Sequence, residues 1–387
     1  MCPQSSSEGE DSLKWSFDSF RPRAREIGID IGLLPTGGLN SITDVEGVKV
    51  GHRTIDKGDD VRTGVTVIIP HGSNLFSDKV PGAIFVGNGF GKAAGISQVR
   101  EMGTIETPIV LTSTLNVPEA VAALMEYTLG FPGNEDVRSV NPVVGETNDG
   151  YLSNIRIRPV MKKDVLEAIR TASTGPVTEG SVGAGRGTVC LGFKGGIGTS
   201  SRRAPTNSGI FTVGVLVQSN FGGILQINGA PVGRELGHYY LSSLAENGSC
   251  IIVIATDAPL GAASLERLAK RAVYSMARTG SVFSNGSGDY AIAFSTNKGM
   301  RVCTDSSDAL KTFKELPSGA LTPLFLAVQE ATEEAIINSI LRAESVCGWR
   351  GHCVEAVPVD RVVDICSRYG VLGYSGTFPS VKLESEK

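Results

Sequence analysis

The chain is poor in most features that announce a function. Its 387 residues include four histidines and two tryptophans, and aromatics make up 6%. No apolar stretch reaches the roughly 18–20 residues a membrane span needs, so no membrane partner is expected. The opening MCPQSSSEGEDSLKWSF has no apolar core of a signal peptide and reads as a disordered tail over residues 1–22. Net charge is -4, and the basic pairs Lys162-Lys163 and Arg202-Arg203 stand alone. With no basic patch, nucleic acid is excluded as a partner.

Cysteine is also uninformative as a framework. Seven residues, an odd number at scattered positions, argue against a set of disulfides. Cys347 and Cys353 flank His352, but C-x5-C fits no common zinc pattern. All seven are read as reduced thiols of a cytoplasmic protein that holds no metal and no organic cofactor. The shortage of histidine matters most. A Ser-His-Asp triad needs an imidazole, and none of His52, His71, His238 and His352 sits at a strand end beside a polar cluster. A G-x-S-x-G elbow is absent too, so ordinary serine-hydrolase chemistry has little support.

What the chain does have is glycine, 48 residues, well above the roughly 7% of an average protein. Gly87 to Lys92 follows a strand but lacks phosphate-loop spacing, since Ala93 comes next. Gly183 to Gly187 precedes a strand, the reverse of a dinucleotide loop. Both are expected to be backbone turns near a site. Short β-branched runs predict strands at Gly82–Val86, Pro108–Thr112, Thr188–Phe193, Ile210–Val217, Gly223–Ile227, Cys250–Ala255, Tyr290–Phe294 and Met300–Cys303. Their near-continuous apolar character suits strands covered on both faces. Helices are expected at Pro118–Leu129 after a possible Asn116 cap, and at Asp164–Ala172, Ser264–Ala277 and Leu321–Leu341. Residues 131–140 and 196–208 read as polar loops. Strands in the middle with helices flanking them favour stacked sheets covered by helices, within one domain over 23–387.

One small pair suggests chemistry without histidine. Gly248-Ser249 precedes the apolar run from Cys250 to Ala255. If the peptide bond between them breaks, into 1–248 and 249–387, Ser249 acquires a terminal α-amine with a pKa of about 7.7–8. Near neutral pH part of that amine can accept the serine's own hydroxyl proton. The same hydroxyl can make the cut by attacking the Gly248 carbonyl, and glycine leaves room for the attack. The neighbourhood adds Asn220, an amide donor for an oxyanion. Ser287, Gly288 and Asp289 open another strand, and the turn Gly145-Glu146-Thr147-Asn148-Asp149-Gly150-Tyr151 ends in a phenol.

Together these segments resemble the self-processing aminopeptidase family that includes the L-aminopeptidase D-amidase/esterase and the β-peptidyl aminopeptidases. The resemblance begins at Arg23-Ala24-Arg25-Glu26-Ile27-Gly28. It runs through Asn40 to Val48, Val61 to Thr66, GETNDGY, Phe193 to Arg202, VQSNFG, GSCIIVIATDAPL and SGDYAIAFST, and ends at Gly351 to Pro358. It implies an α/β fold, a four-layer α/β-β/α sandwich of N-terminal-nucleophile type, in a homo-oligomer of processed heterodimers. It implies Ser249 as self-cleaving residue and nucleophile, Asn220 in the oxyanion hole, Tyr151 on the reacting carbonyl, and a Ser287–Asp289 relay with the Gly288 backbone close by. Glu146 is the candidate anchor for the ammonium of a small peptide or amino-acid amide. Threonine is the nucleophile in a related group that hydrolyses nylon oligomers, so serine favours the aminopeptidase branch. An acyltransferase of the ornithine-acetyltransferase type and a non-catalytic binding protein on the same scaffold are the other readings.

Overall fold

The computed structural model describes residues 21–238, 248–303 and 310–373. The tail expected over 1–22 lies outside these, except for Arg21 and Pro22. In chain order the main strands are β1 (Lys49–Lys57), β2 (Val61–Ile69), β3 (Asp78–Gly89), β4 (Ile109–Ser113), β5 (Val143–Thr147), β6 (Gly196–Thr206), β7 (Gly209–Asn220), β8 (Ser249–Thr256) and β9 (Gly288–Ser295). The main helices are α1 (Val117–Leu129), α2 (Lys162–Arg170), α3 (Ala262–Arg278) and α4 (Thr322–Leu341).

Two sheets result. The smaller has the order β1-β2-β4-β5, and the larger runs β3-β9-β8-β7-β6 with short strands added at the β3 edge. Within each, one parallel pair is joined by a helical crossover: β4 to β5 through α1, and β8 to β9 through α3. Helices α1 and α2 cover the smaller sheet, and α3 and α4 cover the larger. The four-layer sandwich expected from the sequence is the one observed.

The apolar run of β8 shows why the sheets stack. Successive strand side chains point to opposite faces. Ile251, Val253 and Ala255 pack into the core shared with the smaller sheet, and Cys250, Ile252 and Ile254 pack into the core under α3 and α4. A strand buried on both faces needs no polar alternation, and each fully buried Ile or Val contributes about 1.5–3 kcal/mol before entropy is counted.

Several expectations are corrected. Residues 196–208 are no loop: Gly196–Thr206 is an eleven-residue strand. Its Thr199, Ser200, Ser201 and Arg202 look loop-like in sequence but are buried with polar partners. Thr188–Phe193 is not one strand. Val189–Cys190 and Phe193–Lys194 form a tight hairpin, with Leu191 and Gly192 at positive φ in its turn. Gly223–Ile227 forms no strand, only isolated bridges from Gly223 to Ser281 and from Ile227 to Ala230. Asn116 does not cap α1 through its side chain, which donates to the Val160 carbonyl at 3.0 Å. The cysteines are not all reduced thiols: Cys347 and Cys353 form a disulfide. They face each other across a two-stranded antiparallel pair, Val346–Cys347 with Cys353–Val354, and that proximity was hidden in the spacing.

Candidate active site

The site assembles where strands of the two sheets converge. Ser249 is the first residue of β8, opposite Asn220 at the end of antiparallel β7 and Gly288 at the start of parallel β9. Strand register therefore brings residues 29 and 39 positions away against one serine. Ser249 is buried, and its Oγ donates to the Gly248 carbonyl oxygen at 2.7 Å. The Gly288 N–H points at both atoms, 3.3 Å from Ser249 Oγ and 3.3 Å from Gly248 O.

Glycine at 248 is sterically required. A Cβ there would lie 2.4 Å from Phe221 Cα and 2.6 Å from the Asn220 carbonyl oxygen, both backbone atoms that cannot swing away. Gly288 is also tight, with a Cβ meeting the Phe90 carbonyl oxygen at 2.8 Å.

Asn220 is held at both ends of its amide. Its Oδ1 accepts from Val189 N–H at 2.9 Å, which fixes which atom is oxygen, since a backbone N–H only donates. Its Nδ2 donates to the Asn148 carbonyl at 3.1 Å, leaving the second N–H for another acceptor. Asn148 is in turn set by its neighbour. Asp149 is buried and accepts from Thr63 Oγ1 at 2.5 Å and Ser113 Oγ at 2.7 Å. Burial outweighs these two bonds and pushes its pKa up to about 6. Asp149, Thr63 and Ser113 escaped sequence reasoning: nothing marks this aspartate from an ordinary turn residue, and its partners lie on other strands.

Ser287 and Asp289 are joined as expected, with Ser287 Oγ donating to Asp289 Oδ1 at 2.8 Å. Asp289 Oδ2 is buried with no hydrogen-bond partner. Burial dominates, and the bonds from Ser287 and the Cys250 backbone only partly offset it, so the pKa rises to about 6. Asn88, also missed in sequence, anchors this turn by donating to the Ser284 and Ser287 carbonyls at 2.9 and 2.7 Å. In the uncut chain Ser249 Oγ donates to its own preceding carbonyl rather than to Ser287.

Glu146 lies on β5 and is buried. Its Oε1 accepts from Lys92 N–H at 2.8 Å. Burial raises its pKa, against the Lys92 N–H and the Lys92 ammonium. Gly91 is packed between it and the Gly288 backbone: a Cβ on Gly91 would stand 3.1 Å from Glu146 Oε1 and 3.3 Å from Gly288 Cα. The glycine run expected to be a turn is instead the end of strand β3 through Gly89, and only Phe90-Gly91 turn beside the site. Tyr151 is the outlying member. It is half-exposed, and its ring stacks on His352 with centroids 4.4 Å apart, outside the hydrogen-bonded cluster around Ser249. Among the described residues no cluster of three or more His, Cys, Asp or Glu could hold a metal ion. No described helix is long and apolar enough to cross a membrane.

The family model for peptidase family S58 matches residues 40–354. A β-peptidyl aminopeptidase BapA of Sphingosinicella microcystinivorans is 38% identical, covering 90% of this chain and 92% of its own length. Among solved structures, a Pyrococcus horikoshii protein is 46% identical with a TM-score of 0.85, over 90% of this chain and 100% of its own. The L-aminopeptidase D-Ala-esterase/amidase of Ochrobactrum anthropi, described as a variant of the Ntn hydrolase fold, is 34% identical with a TM-score of 0.85, covering 91% of this chain and 99% of its own. The layered sandwich is thus of the N-terminal-nucleophile hydrolase type. The match spans every residue of the Ser249 cluster, and the chain belongs to peptidase family S58.

Proposed function

We propose that this aminopeptidase-class hydrolase activates itself by cutting between Gly248 and Ser249, and then uses Ser249 as an N-terminal nucleophile. In the first stage Ser249 Oγ attacks the Gly248 carbonyl carbon and the peptide C–N bond breaks. The resulting ester joins Gly248 to Ser249 Oγ and frees the Ser249 amine. Water hydrolyses the ester, leaving a Gly248 carboxylate and a free hydroxyl. The observation that carries this reading is the Gly288 N–H at 3.3 Å from both Ser249 Oγ and Gly248 O, beside the 2.7 Å bond between those two atoms. One donor there can follow the charge that develops on the carbonyl oxygen.

In the second stage the substrate ammonium meets Glu146, and Ser249 Oγ attacks the adjacent amide or ester carbonyl. The Ser249 α-amine accepts the hydroxyl proton and passes it to the leaving amine. Asn220, through its uncommitted N–H, stabilises the oxyanion, and Asp289 acts on the hydroxyl through Ser287. Water then releases the acyl group. The β-peptidyl specificity in the relative's name is carried over as a substrate class to be tested, with L-aminoacyl amides beside it. A homo-oligomer of processed heterodimers and a cytoplasmic location complete the proposal, the latter requiring that Cys347 and Cys353 be reduced in the cell.

The test is Ser249→Ala. It is expected to run as one chain on a denaturing gel and to release nitroaniline from aminoacyl anilides at least about 10⁴-fold more slowly than wild type. A variant that still cuts itself or keeps its activity overturns the proposal.

A further inference from the structure

Glu146 already has a cation beside it. Lys92 Nζ lies 3.9 Å from Glu146 Oε1 and 2.8 Å from Thr114 Oγ1, on a side chain 54% exposed. So exposed an ammonium adds little to stability. Nor is it what holds Glu146, whose short bond is to the Lys92 backbone N–H at 2.8 Å, a donor that any residue but proline would supply at this position. The Lys92 side chain is therefore surplus to the architecture. Its effect is to present an ammonium next to a buried carboxylate. Both lie at the turn packed against the Gly288 backbone: a Cβ on Gly91 would stand 3.1 Å from Glu146 Oε1 and 3.3 Å from Gly288 Cα, and the Gly288 N–H is 3.3 Å from Ser249 Oγ.

Resting on the reading of Ser249 as nucleophile and Glu146 as ammonium anchor, we propose that Glu146 and Lys92 together receive an N-terminal residue that is itself a zwitterion. Its ammonium pairs with Glu146 and its carboxylate with Lys92, while its side-chain carbonyl forms the scissile bond. A β-aspartyl (isoaspartyl) peptide is the smallest such substrate with its amine β to the reacting carbonyl. Attack by Ser249 breaks the side-chain amide and expels the downstream amine with a proton from the Ser249 α-amine. Water cleaves the aspartyl ester and releases free aspartate. A residue with an uncharged group in place of the carboxylate leaves Lys92 on water and gains nothing from it.

The self-cleaved wild type and Lys92→Gln are compared on two anilides, β-aspartyl p-nitroanilide and 3-aminobutanoyl p-nitroanilide, each enantiomer separately. The two differ only by carboxylate against methyl. The quantity read is the ratio of kcat/KM between them. Wild type is expected to favour the β-aspartyl substrate by about five- to tenfold in the better enantiomer, with the difference in KM. Lys92→Gln brings the ratio to about one, and Lys92→Glu inverts it. A wild-type ratio at or below one, or a ratio unchanged in Lys92→Gln, overturns the zwitterion proposal while the turnover of the 3-aminobutanoyl anilide keeps the nucleophile reading intact. If neither anilide is cleaved by self-cleaved wild type, both fall together.

Discussion

Two buried polar clusters in this molecule have similar ingredients and opposite states. Under α4, Arg202 is fully buried and all five of its N–H groups are used: on Glu330, Glu334, Ser200 Oγ and the carbonyls of Ser201 and Ile31, at 2.6–3.1 Å. Glu334 also takes Arg25 and Asn40. Burial alone would raise its pKa, but Arg202 and Arg25 outweigh it and hold the value below the usual carboxylate range. At the mouth of β8 the accounting is left open. Asp289 has one oxygen without a partner, Asn220 has an N–H to spare, and the pKa of Glu146 is raised. Saturated charges hold elements together, as Arg202 ties β6, α4 and the Ile31 segment. Unsaturated groups around the proposed nucleophile are poised for something that arrives.

Breaking each cluster has a distinct signature. The largest effect falls on the saturated one. Arg202→Ala leaves buried Glu330 with backbone N–H groups but no cation, and Glu334 with Arg25 alone of its two arginines, and is expected to cost about 3–5 kcal/mol in denaturant unfolding, with kcat per active site in the folded fraction unchanged. A loss of kcat in that fraction would blur the two clusters. Asn220→Ala is expected to do the reverse. The kcat should fall about 10²–10³-fold, as when one oxyanion donor is removed, with far less change in stability than Arg202→Ala.

Asp289→Asn gives a smaller effect that can be followed with pH. The folded pKa of about 6 lies above the ordinary carboxyl value of 3.8, so the folded state binds the extra proton. The stability from this group is complete below pH ~4, is lost as pH rises through about 6, and stays lost above. Asparagine never ionises, so the variant is expected to be more stable than wild type at pH 7.5 by about 3 kcal/mol and close to it near pH 4. Its activity should fall at the same time, because the relay needs the carboxylate. Unfolding curves at the two pH values check the first part, and anilide hydrolysis checks the second.

The comparison also explains what could be read from sequence. The apolar runs of β8 and β9 were legible because burial on both faces needs no partner identities. In the candidate site, Ser249, Asn220, Ser287 and Asp289 could be singled out because they stand at or next to strand ends, while the roles expected of them came from the family resemblance. It was not legible at Asp149, Thr63 and Lys92, whose roles come from strands and turns that meet only in the folded chain. Strand β6 was missed for a related reason. Thr199, Ser200, Ser201 and Arg202 look like a solvated loop until Glu330 and Glu334 are seen across from them. Polar residues in a core give no periodic signal, since their place is set by a partner rather than by water.

The central claim is that the enzyme makes its own catalytic amine. The most direct measurement is the intact mass of freshly purified, active wild-type protein under denaturing conditions, with N-terminal sequencing of whatever it contains. The account predicts two fragments, the smaller beginning at Ser249. An active preparation that consists of one uncut polypeptide, or of fragments divided at another bond, would contradict it.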